Sequence, residues 1–182
     1  DGPIFVMESD QTNALGMKSD SIYFVTMSHR AEYRGSKYRD VQQVCYAVRP
    51  SVTNQPNRYA LYRFVYEVFD NTNFSCYVDN AWTSGLKRLT ANYLQNDSIL
   101  ADNVRNFEIF ITPVGKDEPQ SDYSLLNEQP PAAIDIYLEV LVEEDAVRAS
   151  LTPSDTGFLN AATRRYATRI YVQNRRGYED EE

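Results

Sequence analysis

The sequence predicts a β-rich domain built mostly from antiparallel sheet, and three observations carry that prediction. Strand-like segments follow one another from Ser21 to Val172, with turn chemistry between them. Aromatic residues make up 13% of the chain, with 14 Tyr among them, and such rings pack well on a pleated, half-buried surface. Ile134, Ile136, Leu138, Val140 and Val142 alternate with Asp135, Tyr137, Glu139 and Leu141, which is the period of a sheet with one buried face.

Residues 1–20 mix apolar residues with Gly2, Pro3, Asn13 and Gly16, an extended lead-in with room for one short strand at Ile4–Met7. Ser21–Met27 is apolar on both faces, as a buried strand would be, and the polar stretch His29–Tyr38 reads as a loop. In Val41–Val48 the residues Val44, Tyr46 and Val48 share a face, with Gln43 and Cys45 on the other. In Tyr59–Phe69 an apolar face of Ala60, Tyr62, Phe64, Tyr66 and Val68 lies opposite Arg63 and Glu67. The break between these strands holds Pro50, Asn54, Pro56 and Asn57, so an antiparallel hairpin is expected.

Asp70–Asp97 is less legible. Trp82–Gln95 fits a short helix, with Leu86, Leu89, Tyr93 and Leu94 on one side, and equally a strand and a loop. Ile99–Val104 and Phe107–Ile111 read as strands, the second with Phe107, Ile109 and Ile111 inward, and Gly115–Gln129 reads as a long surface loop. After the alternating strand, residues 143–163 read as a mixed loop with room for one helical turn. Tyr166–Val172 closes the order, with Tyr166, Thr168, Ile170 and Val172 opposite Arg165, Arg169 and Tyr171.

Length and charge bound the function. A chain of 182 residues suits one domain with a real core, assigned to residues 1–178, followed by the acidic tail Glu179–Glu182. A net charge of −8 argues against nucleic acid or an anionic membrane surface as partner. No apolar run of about 18 residues is present, so nothing in this sequence crosses a bilayer as a helix. The chain starts at Asp1, and a preceding segment carrying a membrane anchor is expected.

Reaction chemistry is sparse. One histidine, His29, is too few for a site needing two imidazoles, and no Gly-x-Ser-x-Gly, Walker A or dinucleotide-binding loop occurs. Cys45 and Cys76 permit one disulfide or two buried thiols, and neither has a zinc or CxxC spacing. Asp70-Asn71-Thr72-Asn73 and Asp79-Asn80 offer oxygen ligands, but their spacing fits no EF-hand and suits turns better. Asp135 and Glu139 share the face that alternates away from the core, where no desolvated pocket would raise a pKa. The expectation is no catalytic, cofactor-binding or metal residue, no cofactor and no small-molecule substrate.

The order of strands resembles the soluble domain of the J-class minor pseudopilins of type II secretion systems and related type IV pilin-like proteins. The matching blocks are a short strand at Ser21–Thr26, then Asp40, Val44, Tyr46 and Val48 in the pattern Asp-x-x-x-Val-x-Tyr-x-Val. Leu61-Tyr62-Arg63 follows, then Leu100, Val104, Phe107, Ile109 and Ile111, then Pro130-Pro131-Ala132 opening the alternating strand, and Arg165–Val172 closing. The loops Ser51–Asn57, Gly115–Gln129 and Glu143–Ala162 are longer than that pattern. The resemblance implies an α+β, pilin-like fold, mostly antiparallel sheet here, with the N-terminal anchor helix missing or truncated. It implies a non-enzymatic minor subunit that assembles or caps a secretion or pilus-like filament. Its partners would be other pilin-like subunits and the inner membrane, reached through that helix, in the cell envelope. The alternative is a secreted β-sandwich module that binds glycans or host proteins through Tyr-rich loops. If the helix is missing, the apolar faces it covers should be partly exposed.

Overall fold

The computed structural model describes residues 4–7, 19–27, 41–51, 57–67, 99–124 and 130–172. Strands β1 (Ile4–Met7), β2 (Ser21–Met27), β3 (Val41–Pro50), β4 (Tyr59–Glu67) and β5 (Ile99–Ala101) form one antiparallel sheet with β7 (Tyr123–Ser124), in the order β5-β4-β3-β2-β1-β7. Strands β6 (Val104–Pro113), β8 (Pro131–Val140) and β9 (Arg164–Tyr171) form a second, in the order β6-β8-β9. Helices α1 (Glu143–Leu151) and α2 (Thr156–Ala162) lie between β8 and β9 in the chain.

The expected hairpin forms, with Val48 opposite Leu61 and Val44 opposite Val65. Its turn closes through Asn57, whose φ of 61° is a left-handed geometry that Asn tolerates better than most residues. At their described core positions, strands β2, β3 and β4 are buried on both faces. Ile22, Val48 and Leu61 meet Val104, Phe107, Ile109 and Ile111 of the smaller sheet in the main core, with Phe24 and Tyr46 stacked beside them. On the other face Tyr23, Cys45, Ala47, Ala60 and Tyr62 are fully buried as well. Burial, and next the neighbouring Cys45, push the Tyr23 phenol above its ordinary value.

Asp20 joins the two sheets. Its carboxylate accepts from the Ile109 N–H at 2.8 Å, and its own N–H donates to the Phe107 carbonyl at 2.8 Å. A buried carboxylate that accepts from a main-chain N–H is one of the ways a charge is tolerated inside a protein.

Four expectations are corrected. Residues 143–163 hold two helices where the sequence allowed one turn. Their apolar side is small, with Ala146 and Ala149 against Leu141 and Leu159, so the helical period was faint. The β8 alternation ends at Val140: Leu141 turns into the helix cluster, and Val142 becomes the residue before α1 instead of a core position. Asp135, expected in solvent, is buried. Within the expected loop Gly115–Gln129, Tyr123 is buried and pairs with β1, while Gly115 makes the turn after β6 at a φ of 76°, where a side chain would be strained. His29, Cys76, Asp70-Asn71-Thr72-Asn73, Asp79-Asn80, Trp82–Gln95 and the acidic tail lie outside the described residues.

Candidate interaction surface

The smaller sheet is where the molecule offers contact chemistry. Its inner face is read across three strands: Phe107, Leu138 and Tyr166 are neighbours in register, then Ile109, Ile136 and Thr168, then Ile111, Ile134 and Ile170. The β6 members are buried, the β8 members half-buried, and Tyr166 and Ile170 on β9 are 55% and 48% exposed. One apolar face therefore begins under the six-stranded sheet and runs out beyond it. Every residue of β9 is exposed.

The outer face is aromatic and ionic. Phe110 meets Tyr137 edge to face at 5.7 Å. Arg169 grips Asp135 with two hydrogen bonds of 2.6 Å, from Nε to Oδ1 and from Nη2 to Oδ2. Arg165 donates from Nε to Glu139 at 2.7 Å. The Arg169 hydrogen bond holds the Asp135 carboxyl below its ordinary value against the opposing cost of its burial. A carboxylate so engaged is a poor general base, so the pair Asp135 and Glu139 serves the sheet.

At one end of β6 the register slips between Val104 and Asn106, which leaves Arg105 as the extra residue of a bulge. Its buried guanidinium turns to α2 and donates to Asn160 Oδ1 at 3.2 Å and Thr163 Oγ1 at 2.8 Å. Burial pulls its pKa below the ordinary arginine value. The sequence carries a signal for this: Val104 and Phe107 are three residues apart, out of phase with Phe107, Ile109 and Ile111. Glu143, at the start of α1, accepts from Arg58 and from Asn103, and these two, Arg58 first, hold its carboxyl low.

Among the described residues, no group of three or more His, Cys, Asp or Glu side chains is placed to hold a metal ion. A gap of about 10 Å³ between Arg58, Asn103, Leu141 and Ala149 is water-sized, far below the roughly 300–1,000 Å³ of small-molecule sites. Among the described residues no helix is long and apolar enough to cross a membrane.

No family model and no curated protein matches the chain. Among solved structures it is similar to a type IV-like pilin from Thermus thermophilus, at 14% identity over 94% of this chain and 82% of that one, with a TM-score of 0.40. At that level the functional reading rests on the chain's own geometry.

Proposed function

We propose that this chain is the globular part of a non-enzymatic, pilin-like subunit that works by assembly with sibling subunits. The observation that carries the reading is the apolar face of the smaller sheet, which extends past its cover at Ile134, Ile136, Leu138 and Val140 to Tyr166 and Ile170. A straight apolar helix laid on that face would bury it, and the order of strand blocks in the sequence resembles a family built in that way. On this reading an N-terminal apolar helix anchors the protein in the inner membrane before assembly, and a minor role in a secretion or pilus-like filament follows.

The natural gene supplies the first test. A prepilin-type cleavage site followed by about 20 apolar residues upstream of Asp1 supports the reading, and an ordinary secretory signal ending there contradicts it. A pull-down of the helix-bearing protein against the products of neighbouring genes then tests for sibling partners.

A second reading is favoured by the outer face, where Tyr137 and Tyr171 are 43% and 74% exposed. Exposed rings of this kind suit a glycan- or protein-binding module. A glycan array on the soluble domain separates the two: glycan binding with no sibling partner selects the module.

A further inference from the structure

Among the described residues, strand β9 is the edge of the smaller sheet. Among the described residues it pairs with β8 alone, and all its residues from Arg164 to Tyr171 are exposed. The Val172 N–H donates to the Ala132 carbonyl at 3.0 Å, directly opposite it in the β8–β9 register. That bond fixes the phase of the ladder. Even-numbered residues of β9 turn their main-chain groups to β8, so Arg165, Ala167, Arg169 and Tyr171 turn theirs to the open edge.

Proteins usually guard such an edge with a charged side chain, a proline, a bulge or a covering element. β9 has no bulge in its register with β8, and it has no proline. Its outer-face cations do not stand guard either. Arg165 and Arg169 are drawn back over β8 by their hydrogen bonds to Glu139 and Asp135 and are neutralised there.

We infer that β9 is a self-pairing edge: it takes β9 of a second copy of this chain, antiparallel, about a two-fold axis at Thr168. The strand is self-complementary in that register. Tyr166 falls opposite Ile170 of the second copy on the inner face, and Arg165 falls opposite its Tyr171 on the outer face. Arg169 falls opposite Ala167, and no arginine faces an arginine. Centring the pair on Ala167 instead would set Arg165 against Arg169 twice, and like charges directly opposite are destabilising. The two three-stranded sheets become one continuous sheet, joined by an isologous contact. This inference concerns the edge of the sheet, and it holds whether the apolar face seats a helix or not.

The register makes the test sharp. Thr168 would face its own copy as a non-hydrogen-bonded pair, with Cα atoms about 4.5 Å apart, inside the roughly 4.4–6.8 Å range a disulfide spans. Under mild oxidation, Thr168→Cys should convert most of the protein to a covalent dimer that reductant reverses, while Ala167→Cys and the unsubstituted chain should not. Sedimentation equilibrium of the unsubstituted chain should show its mass rising from 20.9 kDa toward twice that value with concentration. Ala167→Pro removes an outward N–H and spares the β8 ladder, so it should weaken association at least about tenfold with an unchanged far-UV spectrum. A chain that stays monomeric at millimolar concentration overturns the inference. So does a dimer in which Thr168→Cys fails to cross-link, or one in which Ala167→Cys cross-links in its place.

Discussion

Asp135 is placed by alternation on the outward side of β8, yet it is buried, because Arg169 on the neighbouring strand reaches across and closes over it. Its depressed carboxyl carries a pH signature. A carboxyl whose folded value lies below its unfolded value of about 3.9 favours the folded state above that pH, and the contribution is lost as pH falls through the folded value. Asp135→Asn should lower stability near neutrality and flatten the loss of stability below about pH 4. Denaturant midpoints followed from neutral to acid pH check this, and parallel curves for the two proteins would contradict it. Arg105 is the other buried charge on this sheet, and its partners on and after α2 are neutral. Arg105→Ala should cost about 1–3 kcal/mol, with α2 loosened first. Hydrogen exchange read segment by segment would show it as faster exchange in Thr156–Ala162 with little change in β2 and β3.

At the scale of elements, cover thins across the smaller sheet, and mutational cost should thin with it. Ile109 is fully buried on β6, so Ile109→Ala should cost about 2–5 kcal/mol. Leu138 is half-covered, so Leu138→Ala should cost about half as much, less than its clean alternation suggests. Tyr166→Ala on exposed β9 should stay near 0.5 kcal/mol. Equal costs at the three positions, measured by urea titration, would remove the gradient. The strands were legible because their signals are local. The turn residues of the β3–β4 hairpin, the in-phase Phe107, Ile109 and Ile111, and the alternation of β8 each speak for one element. Two features were not legible. The helices bury small residues, Ala146 and Ala149, whose apolar period is weak, and their docking is set by distant partners such as Arg58, Asn103 and Arg105. The exposure of β9 depends on how far one sheet extends past another, and no pattern within β9 encodes that.

For the whole molecule, the two sheets enclose the main core and leave an apolar face running out over β8 and β9, and the proposed function rests on what covers that face. The most direct measurement places a photo-reactive side chain at Ile170, or in a second variant at Tyr166, in the protein expressed from its full natural reading frame. The account predicts a cross-link within the same chain to an N-terminal apolar helix, located by mass spectrometry of the peptides, and loss of that cross-link when the helix is deleted. Cross-links from both positions that avoid the N-terminal segment altogether would contradict it.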